Sequence, residues 1–312
     1  PSRYVVYLCD SSKLCGGWGD RQRGITSLYL LARLAGRQFK IIMSTPCDLS
    51  RFYVPSKVDW LVTGNELVTS SSIVVNDIFD QGVVSRVASG DFNEQFPQEV
   101  IYVQSNSDYY DKLRKNSIYS TLLNQWGGLV RRKARFTWAW RDLMKPSPLL
   151  LTHLERIMDP KIRPIYDLGN SPLICGHVRM GKNPTIPMDE ALSFFTLNDL
   201  PLLYDFLQGK DKNRDAFFFV ASDFEQVRGK SRERFGDRLI DYGGKIIHID
   251  RQRGDRKACA GFEVALMDQL VLSLCDVLVI CKSGFSKYAS YLSNTSEPVY
   301  ILEGGQIHEF KG

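Results

Sequence analysis

The segment ICGHVRMG, residues 174–181, carries the two side chains best suited to bind an anion. His177 and Arg179 are two positions apart, so on a β-strand their side chains share one face. A guanidinium supplies paired N–H donors, and a charge-assisted hydrogen bond is about twice as strong as a neutral one. We predict that the pair binds a diphosphate at the carboxyl end of a strand. The alternative for His177 is a buried histidine whose hydrogen bonds are satisfied within the core.

A glycine-rich segment, residues 15–24, lies between the first predicted strand and the first predicted helix. Its glycines at positions 16, 17, 19 and 24 let backbone N–H groups approach a ligand, and a helix N-terminus favours an anion. The spacing is not G-x-G-x-x-G, so the dehydrogenase fingerprint is absent. Gly17 and Gly19 are candidate ligand-binding positions. The alternative is a structural turn that Asp20 caps.

Three further segments place polar groups beside apolar ones. The run FFFVASD ends in Ser222 and Asp223, and Asp223 is either a ligand contact or a helix N-cap. Asp268 lies in a helix that is apolar around nearly its whole circumference, so its carboxylate needs a partner, and we expect an arginine. The segment SGFS, residues 283–286, follows a strand and opens a helix, which predicts a second anion site.

These segments are positioned by a recurring unit of apolar strand, polar loop and amphipathic helix. The predicted strands are residues 4–9, 39–43, 73–75, 100–104, 172–178, 216–221, 245–249, 277–281 and 299–302. The predicted helices are residues 25–34, 108–126, 149–158, 224–235, 262–274 and 286–292.

A proline-rich stretch, residues 159–172, divides this pattern into two halves. Apolar strands that alternate with helices indicate parallel sheets covered on both faces. We therefore predict an α/β fold with two Rossmann-like domains, residues 1–165 and 166–312. We expect the ligand to bind in a cleft between them, at the carboxyl ends of the strands.

The composition of the 312 residues excludes several classes of protein. A content of 44% hydrophobic and 24% charged residues is ordinary for a globular chain, which excludes long disorder and coiled coil. The net charge is only +5 and no nucleic-acid-binding motif occurs, so we expect no nucleic-acid partner. No apolar run approaches about 18 residues, and no signal peptide is visible. We expect any anchor or signal, and hence any membrane contact, to lie outside this sequence.

The seven cysteines allow up to three disulfides with one thiol left over. Cys9 and Cys15 are the best local pair, while positions 175, 275 and 281 lie in apolar runs and are predicted to be core residues. The alternative is a set of buried free thiols. One glycosylation sequon, Asn294-Thr295-Ser296, favours residence in the lumen of the endoplasmic reticulum or Golgi.

In this order and spacing, the four groups of motifs resemble the fucosyltransferase superfamily. That superfamily includes the protein O-fucosyltransferases, the α1,6-fucosyltransferases and the bacterial nodulation enzymes. GWGDRQRGI followed by LYLLARLAGRQFKI is similar to the N-terminal loop and helix, and GHVRMG to the His-x-Arg motif. FFFVASD and LMDQLVLSLCDVLVICKSGFSKYA are similar to the late motifs. The resemblance runs from about residue 4 to residue 292, and residues 44–165 contribute little to it.

The resemblance implies a GT-B fold and an inverting transfer of L-fucose from GDP-fucose to a hydroxyl of a protein or glycan. On this resemblance Arg179 is catalytic, because it holds the donor diphosphate and neutralises the leaving group, and Asp268 steadies Arg179. The nucleotide lies in the C-terminal half and the acceptor mainly against the N-terminal half. The donor-binding positions are Gly17, Gly19, His177, Arg179, Ser222, Asp223, Asp268, Ser283, Gly284, Phe285 and Ser286.

The chain departs from the family pattern at two places. Met180 stands where the α1,6 and nodulation members carry a second arginine, and Lys182 where they carry an aspartate. These differences place the chain nearer the protein O-fucosyltransferase-like branch. The family's glutamate in the first loop is missing, so Asp20, the nearest carboxylate, is our candidate for the catalytic base.

The chain contains no Asp-x-Asp sequence, which metal-dependent sugar-nucleotide transferases use to bind a divalent ion. We therefore expect no metal or other cofactor. The charge of the diphosphate would instead be balanced by helix N-termini and basic side chains. The candidates are Arg21, Arg23, Arg179 and Lys182.

Two alternative functions use the same scaffold. One is a GT-B transferase for another nucleotide sugar, and the other is a non-catalytic protein that binds glycans or nucleotide sugars. The aromatic and arginine-rich residues 105–145 form either an acceptor surface, where rings stack on sugars, or the core of a helical subdomain.

Overall fold

The computed structural model describes residues 2–78, 82, 85–86, 89–126, 131–158, 171–186, 195–251 and 256–312. The chain forms two compact units, Pro1–Ser147 and Pro148–Gly312. The helix Pro148–Met158 belongs to the second unit, whereas the sequence pattern predicted it in the first domain. It packs against the helix Ala258–Ser273 of that second unit. The predicted boundary at residues 165–166, and most of the proline-rich stretch, lie outside the described residues.

A parallel sheet forms the centre of the first unit. Among the described residues its strands lie in the order β2-β1-β5-β4, and each neighbouring pair is parallel. A short strand pair, β3 with β6, is antiparallel and was not predicted. The strands of this unit are β1 (Tyr4–Cys9), β2 (Gln38–Met43), β3 (Tyr53–Pro55), β4 (Ser72–Asn76), β5 (Val100–Gln104) and β6 (Met144–Pro146).

The first helix of this unit covers β1 and β2 and begins earlier than predicted. It starts at Trp18, so most of the glycine-rich segment is helical rather than a loop. Gly24 lies where a Cβ atom would stand 2.0 Å from the carbonyl oxygen of Ser105, and only glycine allows this approach. The helices are α1 (Trp18–Leu34), α2 (Phe92–Gln95), α3 (Tyr110–Lys115), α4 (Ser120–Gln125) and α5 (Arg132–Leu143).

Most aromatic residues of the segment 105–145 are buried in the core of this unit, whereas Trp126 and Trp138 are half-buried. Trp140 is buried and meets Trp18 edge-on, at 5.7 Å between ring centroids, and Tyr53 at 5.5 Å. The single helix predicted over residues 108–126 is two helices, α3 and α4. Asn116 lies between them and its Oδ1 accepts the N–H of Ile118, which turns the chain.

The second unit contains another parallel sheet with one antiparallel edge strand. Its described strands lie in the order β11-β10-β9-β7-β8, and the β10–β11 pair is antiparallel. The predicted α/β class with parallel sheets is therefore confirmed. The strands are β7 (Leu173–Val178), β8 (Phe217–Ser222), β9 (Val277–Ile280), β10 (Val299–Glu303) and β11 (Gln306–Glu309).

Helices cover this sheet, and one predicted strand is absent from it. Residues 245–249 are not a strand, because the backbone of Ile240 already donates to the edge strand at Phe218. Gly243 and Gly244, both at positive φ, then turn the chain away. The helices are α6 (Pro148–Met158), α7 (Leu200–Lys210), α8 (Glu225–Phe235), α9 (Ala258–Ser273) and α10 (Gly284–Leu292).

Cysteine pairing differs in part from the prediction. Cys9 and Cys15 form a disulfide, as their spacing predicted. Cys175 and Cys275 are buried core residues, but they are disulfide-bonded to each other rather than free, with Cα atoms 6.0 Å apart. Cys281 is a buried free thiol. Within the described ranges, none of the helices combines the length and the apolar character needed to cross a membrane.

Candidate anion-binding site at the carboxyl end of the second sheet

An ion pair joins the ends of two neighbouring strands. The parallel register of β7 and β8 sets Val178 beside Ser222, so Arg179 and Asp223 leave the sheet side by side. Nη1 of Arg179 donates to Oδ2 of Asp223 in an ion pair whose two side chains are only 20% and 12% exposed. The pair fixes the guanidinium at the carboxyl edge of the sheet, where ligands bind in open α/β sheets.

Asp223 also binds the backbone of the turn that follows β7. Its carboxylate accepts the N–H of Met180 at 2.7 Å and the N–H of Gly181 at 2.9 Å. Asn183 adds a contact from its side-chain amide to the carbonyl of Asp223. The alternative that Asp223 is an N-cap is wrong, since the N-cap of α8 is Phe224 and has no side-chain cap. Asp223 therefore holds both the guanidinium of Arg179 and the turn after β7 in place, and its contact with a ligand stays a prediction.

His177 is buried one residue before the end of β7. Its Nδ1 lies 3.2 Å from Sγ of Cys281, and its ring centroid lies 5.2 Å from that of Phe285. Burial, aided by the charge of Arg179, lowers the pKa of His177 to about 3, so the imidazole is neutral at physiological pH. His177 thus matches the alternative of a satisfied core histidine and still lies next to Arg179. It offers a neutral hydrogen-bond donor rather than a second positive charge.

The N-terminus of α10 supplies a second set of donors at the same edge of the sheet. Ser283 follows β9 closely and is the N-cap, with Oγ accepting the N–H of Phe285 at 3.3 Å. Gln269 of α9 donates to the carbonyl of Phe285 at 2.9 Å, which ties α10 to α9. Amides in the first turn of a helix have no partner within the helix, and the helix dipole favours an anion there.

The predicted residues that the structure brings together are those at the strand ends. Oγ of Ser222 accepts the N–H of Phe224 at 3.1 Å, which shapes the turn after β8. Ser286 is fully buried in the first turn of α10. The strand-end cluster, as we call it, consists of His177, Arg179, Ser222, Asp223, Cys281, Ser283, Gly284, Phe285 and Ser286.

The structure of this chain is similar to solved structures of fucosyltransferases. A point mutant of Arabidopsis thaliana FUT1 in complex with GDP has a TM-score of 0.66 at 16% identity, over 98% of this chain and 72% of that chain. Fucosyltransferase NodZ from Bradyrhizobium has a TM-score of 0.58 at 12% identity, over 99% of each chain. POFUT1 in complex with GDP has a TM-score of 0.52 at 12% identity, over 97% of this chain and 99% of that chain. No family model and no curated protein sequence matches the chain.

The chain has a GT-B fucosyltransferase-like fold. The fold implied by the order of its sequence motifs is therefore confirmed. In this fucosyltransferase-like fold, the strand-end cluster lies wholly within the unit Pro148–Gly312, the half in which the sequence motifs predicted the nucleotide.

Asp268 belongs to a different cluster from the one predicted. Its partner is an arginine, but that arginine is Arg228, with Nη2 3.8 Å from Oδ2 of Asp268. The hydroxyl of Tyr242 donates to Oδ1 of Asp268. Among the described contacts, Arg179 is paired with Asp223, so the role of steadying Arg179 passes from Asp268 to Asp223.

The Asp268 cluster lines a small pocket beside the edge strand. Nη1 of Arg228 donates to the carbonyl of Gly244 at 2.9 Å, and the ring of Tyr242 stacks on Phe219 with centroids 6.0 Å apart. Leu239 and Ser231 also line the pocket. Burial raises the pKa of Asp268 to about 6, with Arg228 acting in the opposite direction. Sequence reasoning missed Arg228 and Tyr242, because both lie far from Asp268 along the chain.

We expect Asp268→Asn to remove a pH dependence of stability. The pKa of Asp268 is about 6 in the folded state, while an unfolded aspartate titrates near about 3.9. Between these values the folded state binds a proton that the unfolded state has lost, so the free energy of unfolding falls as the pH rises from about 4 to about 6. Two pKa units correspond to ~3 kcal/mol. Urea unfolding of the wild type and the variant across this pH range measures the difference.

Asp215→Asn is the matched control, because Asp215 is an exposed aspartate of the same unit. Its effect on the free energy of unfolding should be small. A difference in the free energy of unfolding between the wild type and Asp268→Asn that does not change with pH would contradict the raised pKa of Asp268.

The glycine-rich segment of the first unit is a capped helix start. Gly17 is the N-cap of α1, and its N–H donates to Oδ2 of Asp20 at 3.2 Å, while Gly19 lies in the first turn. Oδ1 of Asp20 pairs with Nη2 of Arg23 at 2.9 Å, and the Asp20 side chain is 44% exposed. Asp20 thus caps this turn, as the alternative interpretation predicted, and the binding of a ligand by Gly17 and Gly19 stays a prediction.

Arg21 is a structural residue rather than a ligand-binding cation. It is fully buried, its Nε donates to the carbonyl of Gly16 at 3.0 Å, and its Nη1 donates to the carbonyl of Thr45. A guanidinium buried on backbone carbonyls holds the loop before α1 in place. The prediction that Arg21 balances the charge of a diphosphate is therefore wrong.

Proposed function

We propose that this protein is an inverting fucosyltransferase that transfers L-fucose from GDP-fucose to a hydroxyl group of a protein or a glycan. The observation that carries the proposal is the Arg179 guanidinium, fixed by Asp223 at the carboxyl end of β7. It is supported by the fold, since the solved structures similar to this chain include fucosyltransferases in complex with GDP. The acceptor class follows from the family resemblance of the motifs.

The proposed reaction is a single displacement. The acceptor oxygen attacks the anomeric carbon of fucose, the bond from that carbon to the β-phosphate oxygen breaks, and GDP leaves with the electron pair. Arg179 and the first-turn amides of α10 stabilise the negative charge that grows on the diphosphate. His177 donates a neutral hydrogen bond to the nucleotide. With this positive charge in place, the proposed reaction needs no metal.

Isothermal titration with GDP, with UDP as control, tests the nucleotide site. We expect GDP to bind and UDP to bind at least about 10-fold more weakly, a difference near 1.4 kcal/mol. Equal affinity for both nucleotides would favour a transferase for another nucleotide sugar. Absence of binding to either would contradict the proposed donor.

Turnover separates an enzyme from a binding protein. Incubation with GDP-fucose should release GDP, by transfer when an acceptor is present or by slow hydrolysis when it is absent. Tight binding of GDP-fucose without any release of GDP would favour the non-catalytic alternative.

We propose Asp20 as the base that takes the proton of the acceptor hydroxyl. Asp20→Asn should lower kcat by about 10²- to 10⁴-fold, the usual contribution of general base catalysis. The fold should persist, because an asparagine oxygen still accepts the N–H of Gly17 and replaces the cap. Steady-state kinetics and a thermal melt measure the two effects.

Asp91→Asn is the control for Asp20→Asn, since Asp91 caps α2 in the same unit by accepting the N–H of Asn93 at 2.7 Å. A kcat within about 3-fold of the wild type for both variants would show that Asp20 is only a cap and that the base lies elsewhere.

We further propose that the protein resides in the lumen of the secretory pathway. The Cys175–Cys275 disulfide supports this location, because disulfides persist in oxidising compartments. Asn294 of the sequon is exposed, so it is accessible to glycosylation.

A further inference from the structure

One sulfur atom contacts both members of the His-x-Arg pair. Cys281 follows β9 directly and is 3% exposed. The parallel register sets Gly176 beside Val279, so Cys281, two residues after Val279, lies at the same edge of the sheet as His177 and Arg179. Sγ of Cys281 lies 3.2 Å from Nδ1 of His177, and the backbone N–H of Arg179 donates to the same sulfur.

The protonation states of the two groups decide how they are bonded. Burial raises the pKa of the Cys281 thiol to about 12, so the sulfur carries its proton at physiological pH. The imidazole of His177 is neutral, because burial lowers its pKa to about 3. A thiol can donate one hydrogen bond and accept others, and a neutral imidazole carries a proton on one nitrogen only.

One arrangement satisfies all three groups and also accommodates the hydroxyl of Ser286, which acts on the same sulfur. In it, the sulfur accepts the N–H of Arg179, and the S–H donates to Nδ1 of His177, which is the unprotonated nitrogen. The imidazole proton then lies on Nε2. The Phe285 ring packs against the imidazole at 5.2 Å and limits its rotation.

We propose that Cys281 is a positioning residue that fixes the Nε2–H tautomer of His177 and anchors the backbone of Arg179, so that Nε2–H of His177 and the guanidinium of Arg179 bind the same diphosphate. Binding of the diphosphate by His177 and Arg179 rests on the proposed function. The tautomer of His177 is a property of the free protein. The tautomer and the binding are therefore measured separately.

The first measurement is the tautomer of His177 in the free protein. Long-range ¹H–¹⁵N NMR of protein labelled at its 4 histidines distinguishes a protonated Nε2 from a protonated Nδ1, and His177→Gln assigns the signal. We expect the Nε2–H form in the wild type and in Cys281→Ser, because serine also donates and accepts. Cys281→Ala should show a mixture of tautomers. A wild type in the Nδ1–H form, or an unchanged tautomer in Cys281→Ala, would overturn the proposal.

The second measurement is the affinity for GDP. We expect Cys281→Ala to raise the Kd by about 5- to 10-fold, the typical weight of one hydrogen bond, and Cys281→Ser to restore it to within about 2-fold. Val279→Ala is the control for lost packing, since it removes buried methyl groups from β9, the strand that precedes Cys281. It should lower the melting temperature without changing the tautomer or the Kd.

The outcomes separate the two proposals. A wild type that does not bind GDP overturns the proposed function and the claim that His177 and Arg179 bind one diphosphate. The NMR result still decides the tautomer of His177. A wild type that binds GDP, together with a Cys281→Ala variant of equal affinity and equal tautomer, overturns the inference alone. Cys281 would then be a packing residue.

Discussion

Replacing Arg179 by alanine is expected to lower kcat/KM for GDP-fucose by about 10²- to 10³-fold, the loss typical for one preorganised donor at a developing negative charge. The guanidinium lies at the carboxyl end of β7, only 20% exposed and paired with Asp223, so its direction is set before a ligand binds. Arg179→Lys should be intermediate, because lysine keeps the charge and loses the paired donors. GDP titration and steady-state kinetics measure both variants.

The fold should survive the loss of Arg179. The carboxylate of Asp223 still accepts the N–H groups of Met180 and Gly181, so it is not left without partners. The matched control is Arg234→Ala, which breaks an exposed ion pair with Asp205 in the same unit. We expect wild-type kinetics from that control. An Arg179→Ala variant that keeps wild-type affinity for GDP would exclude the strand-end cluster as the diphosphate site.

Removal of the Cys175–Cys275 disulfide should lower the free energy of unfolding by about 4–5 kcal/mol. The two residues are 100 positions apart, and in the chain-entropy model closing a loop of about that length contributes about 4.7 kcal/mol. The double variant Cys175→Ala with Cys275→Ala should therefore unfold at much lower urea. The free energy of unfolding from urea titration, followed by circular dichroism, measures the loss.

The disulfide between Cys9 and Cys15 provides the comparison. These cysteines are 6 positions apart, for which the same model gives a contribution of only about 2 kcal/mol. If removal of the Cys175–Cys275 disulfide lowers the free energy of unfolding less than removal of Cys9–Cys15 does, the Cys175–Cys275 disulfide contributes little to stability. The binding of GDP to the Cys175–Cys275 variant also reports on the site, because Cys175 lies two residues before His177 on β7.

The local elements of the fold follow from the sequence. Hydrophobic patterns depend on neighbours along the chain, so the parallel strands around β1 and β7 and the helix α1 were predicted in kind, with errors mainly at their ends. The one predicted strand that is absent has a tertiary cause. The strand expected at residues 245–249 has the right composition, but residues 239–240 already lie beside β8.

The donor groups of the strand-end cluster were also visible in the sequence. Arg179 two residues after His177, and Ser283 before an apolar helix, are local patterns with a physical reason. Cys281 was predicted only as a core residue and not as a member of the cluster. Its contact with His177 depends on how β9 is placed beside β7, which the sequence pattern does not show.

What the sequence determined by itself was therefore most of the strands and helices and the identity of the charged donors. The tertiary structure decided which groups pair. A buried carboxylate requires a cation, but the sequence offers many arginines, and only the adjacency of β7 and β8 assigns Arg179 to Asp223 and leaves Arg228 for Asp268. Partner choice depends on distances between residues far apart in the chain, and local periodicity carries no information about those distances.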